Sequence, residues 1–341
     1  MHSYKQSQSA KFLFSAKVVW RGARLCYARF EVRGMMLIER DEKKKLHTLQ
    51  AGVRRGLTEW KDALYRMESG LAGEEYVDRA WEDFQLKEPH YLLHNYCVGR
   101  HQMDTVFLCS RFILIVEIKH MSGRISIEEE KAQFLRTRED GSVESFRNPI
   151  DQVKRHVRFM EHLIEHRMPV LYAVIFSHTR TIIGQVPAGE PIFKLSGLET
   201  FVRGMIADYP ETLHSNELRE FAQFLAEQHS PRHFDLQIDF SRLRRGVICS
   251  ECGSTMVFYH GKFICRNCGR TGHQDFYQGL TDYRYCISEW ITNREMRTFF
   301  NIPSINAAGR LLKNLAFEHD GLYKQRRYRI CLQKLKSTVN G

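Results

Sequence analysis

Phe112-Ile113-Leu114-Ile115-Val116-Glu117-Ile118-Lys119 is the stretch whose reading decides the fold. Five large apolar residues run straight into a carboxylate, an isoleucine and an ammonium. A run apolar on both faces is the mark of a strand covered on both sides. Charge buried at the end of such a strand is costly unless it is paired or binds a metal. Side chains alternate along a strand, so Glu117 and Lys119 emerge on one face. With Asp104 from the preceding strand, two carboxylates and a lysine meet at a strand end and suit a divalent-metal site. The alternative is a buried Glu–Lys ion pair with an Asp nearby, a poor device for stability.

Working outward, strands are expected at about 91–98, 103–109 and 112–120, and a hairpin at 124–128 and 132–137 around Glu129-Glu130. Asn148-Pro149 is a helix start, with Asn as N-cap and Pro in the first turn. That helix carries Ile150, Val153, Val157, Met160 and Ile164 at spacings of three and four, with Gln152 one residue off the stripe. Residues 169–177 read as a buried strand, 191–195 as a short one, and helices are expected near 198–206 and 215–228. Upstream, an apolar stripe marks a helix from about His47 to Met67, weakened by Gly52 and Gly56. Gly70 and Gly73 then punctuate before a helix at 73–86 with Val77, Trp81 and Phe84 inward. Three residues before Val77, Glu74 falls on this core-facing stripe; the alternative is a first-turn glutamate favoured by the helix dipole. Together these elements make an α/β domain over 45–230.

Gly70-x-x-Gly73-Glu74, Gln102-Met103-Asp104, Val116-Glu117-Ile118-Lys119 with Gly123 close behind, and Asn148-Pro149-x-x-Gln152 together resemble the nuclease-related domain (NERD). It is a branch of the PD-(D/E)xK restriction-endonuclease-like superfamily, and the resemblance covers roughly 70–180. It implies a restriction-endonuclease-like mixed sheet flanked by helices. Asp104 and Glu117 would hold Mg²⁺ or Mn²⁺, Lys119 would be the catalytic lysine, Glu74 the supporting glutamate and Gln152 the downstream glutamine. Two departures stand out: Met103 replaces the superfamily's proline, and Thr105 stands where many relatives carry histidine. Hard oxygen ligands suit such an ion. It would polarise a scissile phosphate for in-line attack, with Lys119 orienting water or stabilising developing charge.

Cys249-x-x-Cys252-Gly and Cys265-x-x-Cys268-Gly, twelve residues apart, predict a closed tetrahedral Zn²⁺ site in a zinc ribbon over 246–275. Residues 256–264 suit a hairpin turning at His260-Gly261, and four thiolates leave no need for His260 or His273 as ligands. Farther on, Thr292-x-x-Glu295 is a capping box opening a helix to about Phe300. Ser304 caps a second helix with Ile305, Ala308, Leu312 and Leu315 inward and Asn306, Arg310 and Lys313 outward. A hairpin follows with Lys324, Arg326, Arg327 and Arg329 around Tyr323 and Tyr328. Residues 285–335 look like a winged helix-turn-helix with a major-groove helix and a basic wing on phosphates; the alternative is a helical pair serving protein contacts.

Charge supports a division of labour. The chain carries net +11, split as +6 over 1–34, −4 over 35–230 and +9 over 231–341. A basic tail is the electrostatic footprint of a polyanion binder. Nine cysteines, four in a regular array and Cys97 and Cys109 in apolar runs, favour a reducing cytoplasm over a secreted disulfide framework. No apolar stretch approaches the roughly 18 residues of a membrane span. Residues 1–34 are basic, nearly acid-free and lack periodicity, a composition that also suits a transit peptide. Glu31-Val32-Arg33-Gly34 can be encoded by purine-rich codons resembling a bacterial ribosome-binding site, so 1–34 is expected to be an upstream extension, with synthesis beginning at Met35 or Met36.

The expectation is therefore a bacterial, metal-dependent nuclease acting on DNA, with the tail supplying affinity. The rivals are a DNA-binding regulator with an inactive nuclease-like domain and an accessory subunit of a DNA-processing assembly.

Overall fold

A computed structural model describes residues 35–38, 43–231, 236 and 238–337. The expectations for 1–34 lie outside the described residues. The chain begins with β1 (Met35–Ile38), α1 (Lys43–Arg54) and α2 (Lys61–Asp83). Three strands follow, β2 (His90–Val98), β3 (His101–Cys109) and β4 (Ile113–Lys119). Next come β5 (Gly123–Glu128), β6 (Gln133–Thr137), β7 (Val143–Phe146), α3 (Pro149–Leu163) and β8 (Val170–Phe176). Then β9 (Thr181–Ile183), β10 (Ile192–Lys194), α4 (Leu198–Asp208) and α5 (Ser215–Gln228) complete the α/β part.

The main sheet is mixed, in the order β1-β2-β3-β4-β8-β10. β2, β3 and β4 are antiparallel neighbours, whereas β1 joins β2, and β8 joins β4 and β10, in parallel. The alternation of β4 splits its apolar residues between two cores. Ile113 and Ile115 pack with Val106, Val153, Met160 and Leu225 on the face covered by α3 and α5. Leu114, Val116 and Ile118 pack with Val77, Trp81, Leu198 and Val202 on the face covered by α2 and α4. A second sheet, β7-β6-β5-β9, buries Ile125, Ile127 and Phe134 against the first core.

The predicted break at Gly70 and Gly73 is absent: α2 runs through both. A glycine costs a helix about 1 kcal/mol relative to alanine, and burial of Met67, Val77 and Trp81 offsets it. Gly73 is needed for close approach. A Cβ there would lie 2.3 Å from the His120 Cβ and 2.9 Å from the Ser177 Oγ, at the ends of β4 and β8.

In the C-terminal part, β11 (Val247–Ile248), β12 (Thr255–Tyr259) and β13 (Lys262–Ile264) form a small antiparallel sheet. Then come α6 (Gln274–Cys286), β14 (Trp290–Thr292), α7 (Asn293–Phe300) and α8 (Ile305–Asn314). β15 (Glu318–Asp320), β16 (Arg327–Arg329) and α9 (Leu332–Ser337) close the described chain. β14, β16 and β15 make one antiparallel sheet beside the helices. Thr292 and Glu295 form the expected capping box, and the Ser304 hydroxyl accepts the N–H of Ala307. Ile305, expected inward, is exposed in the first turn of α8, while Ala308 and Leu312 are buried. The core is closed there by Ile302 and Ala307 instead, and these the helical stripe did not include.

The two parts are clasped by α1 against α6. Arg54 donates to Asp282 Oδ1 through Nε and Nη2, at 3.0 and 2.7 Å, and Arg55 Nε donates to Oδ2 at 2.9 Å. Arg55 is 1% exposed, and its Nη1 also reaches the carbonyls of Arg244 and Gly246. Removing one partner of a buried ion pair strands the other. Asp282→Ala is therefore expected to lower the unfolding free energy by about 3–5 kcal/mol in urea titration; a loss below about 1 kcal/mol contradicts the clasp.

Candidate metal and nuclease centre

β3 and β4 pair with Thr105 opposite Val116, so Asp104 and Glu117 are the next facing positions. Both lie on the face that α3 covers. Asp104 Oδ2 accepts the backbone N–H of Ile118 at 2.8 Å. Lys119 Nζ donates to Glu117 Oε1 at 2.6 Å and lies 3.5 Å from Gln152 Oε1. Asn148 brings Gln152 there: its Oδ1 accepts the Ile150 N–H, with Pro149 at the first helical position, and so aims the start of α3 at the strand ends. The structure thus joins Asp104, Glu117, Lys119 and Gln152. Glu74 comes from α2, on the opposite face of the sheet, where it is half-buried. It borders a cleft of about 490 Å³ that Lys45 and Arg66 also line.

Burial and neighbouring charge set the electrostatics of this centre. Glu117 is 2% exposed. Burial first, and the Asp104 carboxylate second, push its carboxyl up to about 8, against the pull of Lys119 and Arg155. Burial works to lower the Lys119 pKa, but the Glu117 and Asp104 carboxylates outweigh it and hold the ammonium above its ordinary value. Two carboxylates are what Mg²⁺ usually takes from a protein, with waters and substrate phosphate completing its sphere. The donor set therefore fits a hard dication. Such an ion must displace the Glu117 proton, so its affinity is expected to weaken about tenfold per pH unit below 8. Calorimetry in buffers of different ionisation enthalpy reads the released proton; a pH-independent affinity contradicts the reading.

Two neighbours carried no sequence motif. Asn95 lies in β2 between His94, which faces Thr105, and Tyr96, which faces Met103, and so stands across from Asp104. It is buried with φ +50°, a conformation a buried strand residue rarely holds. Arg155, exposed on α3, acts electrostatically on Glu117; its signal was the three-residue step from Gln152.

The cysteine array is assembled separately. The ligand atoms of Cys249, Cys252, Cys265 and Cys268 all lie within 4.8 Å of one another, and among the described residues no other group of three or more such ligands is this close. Cys249–Cys268 and Cys252–Cys265 sulfurs are 3.6 and 3.4 Å apart. Zn–S bonds of about 2.3 Å in a tetrahedron set sulfurs roughly 3.8 Å apart, so the cage fits zinc. Both knuckles share one pattern. The N–H of Gly253 reaches the carbonyl of Cys249, and that of Gly269 reaches Cys265, each at 2.9 Å with glycine φ near +70°. Hydrogen bonds from Ser254 and Asn267 hold the Cys252 thiol below its ordinary value, whereas the Cys268 thiol, despite the Arg270 N–H, is pushed up by burial and by the Cys265, Cys249 and Cys252 sulfurs. Asp275 accepts from the Ser250 N–H and Arg270 Nε, tying the ribbon to α6.

Residues 69–177 match the family model of the nuclease-related domain. That span contains Glu74, Asp104, Glu117, Lys119 and Gln152, so the centre lies wholly in a nuclease-related segment. An uncharacterized protein of Bacillus anthracis is 28% identical over 135 residues, an alignment covering 38% of this chain and 58% of that protein. This chain thus spans less than two thirds of the relative's length. No solved structure matches it significantly. Among the described residues, no helix is long and apolar enough to cross a membrane.

Proposed function

We propose that this protein is a Mg²⁺- or Mn²⁺-dependent nuclease that hydrolyses DNA phosphodiesters at the Asp104–Glu117–Lys119 centre. The supporting observation is that two carboxylates and an ammonium, one carboxylate almost fully buried, converge on one sheet face within the nuclease-related segment. Asp104 and Glu117 would hold the ion, which would supply polarisation of the scissile phosphate and a more acidic water. Lys119 stays an ammonium at neutral pH and donates to the phosphoryl oxygen as negative charge grows there. Gln152 holds the Lys119 side chain toward the strand end; the supporting role expected of Glu74 is not carried over, because Glu74 borders a separate cleft from α2.

The tail adds DNA affinity. Asn306, Arg310 and Lys313 are exposed on α8, with neither cation in an ion pair among the described residues. Tyr323 and Leu322 protrude at the hairpin tip. Arg327 pairs with Asp320 and Arg329 with Glu289, so each exchanges a protein carboxylate for a phosphate on binding. Arg326 is half-buried, and Lys324 lies on the turn Tyr323–Gln325.

Cleavage of supercoiled plasmid with Mg²⁺, Mn²⁺ or EDTA tests the proposal. Metal-dependent nicking that is lost in Asp104→Ala supports it. Equal nicking by wild type and variant removes it, and DNA binding without cleavage leaves the regulator reading.

A further inference from the structure

We propose that Arg155 and Arg158, on the solvent ridge of α3, form a phosphate track that seats the DNA backbone against the carboxylate–lysine centre. This rests on the nuclease reading above and adds to it the surface that receives the substrate. Gln152, Arg155 and Arg158 are spaced by three, so they are neighbours along one side of the helix, each step rising about 4.5 Å. The ridge is anchored at the centre, because Gln152 Oε1 lies 3.5 Å from Lys119 Nζ. Both arginines are exposed, and neither forms an ion pair among the described residues. The adjacent Lys154 is different: it is held by Glu190 at 2.6 Å. Arg155 stands near enough for its charge to be felt by the buried Glu117.

Charge complementarity names the occupant. Residues 35–230 are acidic overall, yet two guanidiniums without an ion pair among the described residues follow one another away from the acidic centre. A scissile phosphate must approach Lys119, and its strand continues past that point with one phosphate per about 3.4 Å of helix axis. The guanidinium fork binds phosphate through two parallel N–H donors. DNA is thus held at the centre itself as well as by the basic tail.

The test uses the full chain, a fluorescein-labelled duplex and Ca²⁺ in place of Mg²⁺, with anisotropy read across a salt series. Each lost phosphate contact lowers the slope of log K against log salt by about 0.9. Arg155→Ala is expected to weaken binding about tenfold at low salt and to lower the slope by about one, and Arg155→Ala/Arg158→Ala by about two. Arg155→Lys keeps the slope. Arg203→Ala removes an equal charge from α4 on the opposite face and leaves both readings unchanged. An unaltered slope in Arg155→Ala overturns the track, as does an equal loss in Arg203→Ala. If wild type shows these slopes but cleaves nothing with Mg²⁺ or Mn²⁺, the nuclease reading fails and the track stands. Absence of binding by wild type overturns both.

Discussion

Glu117→Gln is expected to lose DNA cleavage by about 10²–10³-fold or more while becoming more stable than wild type in EDTA at pH 8. The two effects have one cause. The Glu117 carboxyl, raised from 4.5 to about 8 by burial and by Asp104, keeps its proton in the folded state at a pH where the unfolded chain has released it. Stability from this group is present below about pH 4.5 and is lost as pH rises through about 8. Glutamine has the shape of the protonated acid and escapes that loss, a gain of about 1–3 kcal/mol near pH 8. It has no charge to hold a dication, so activity goes. Lys119→Ala is expected to fall by about 10²–10³-fold for another reason: it removes the donor to the developing charge and leaves Glu117 without its partner. Plasmid nicking rates and urea midpoints at pH 5 and pH 8 check both. A Glu117→Gln protein that cleaves normally, or that is less stable at pH 8, sinks this account of the centre.

Loss of zinc is expected to have the largest structural effect. Four thiolates of a structural site contribute about 10–16 kcal/mol of apparent zinc binding at neutral pH. The ribbon has little else: its sheet supplies Val247, Met256 and Phe263 to a core completed by Phe276, Leu280, Phe300 and Leu312 of the following helices. Chelation, or Cys252→Ser, should therefore unfold 246–275 and loosen that shared core. Hydrogen exchange would report it, and metal analysis should find one zinc per chain. Exchange protection that survives complete zinc removal would mean the cage is not structural. Because Arg55 of α1 is buried against Asp282 of α6, truncating the tail would strand a buried guanidinium. The proposal that the tail binds DNA is better tested with Arg310→Ala and Lys313→Ala, each expected to lower the salt slope by about one.

What was legible in the sequence was local. Near-continuous apolar runs marked β4 and β8 because strands buried on both faces need them. Asn148-Pro149, Thr292-x-x-Glu295 and Ser304 marked helix starts because a side chain must accept the free N–H groups there. The paired Cys-x-x-Cys-Gly knuckles marked the cage because each closes on itself through a single backbone bond. Even the face shared by Glu117 and Lys119 followed from alternation. What only the tertiary structure decided depends on groups distant in sequence. Gly73 lies inside a helix because His120 packs against it, and β1 becomes a strand because β2 offers it an edge. Ile305 faces solvent because Ile302 and Ala307 already close the core. Arg327 and Arg329 are partly neutralised by acids that folding brings beside them. The sequence by itself determined which residues form the strands, caps and knuckles, since those follow from backbone hydrogen bonding and side-chain periodicity within a few residues. Only the folded chain decided that Gln152 reaches Lys119 and that α1 is clasped to α6, because burial and charge pairing depend on what lies across space.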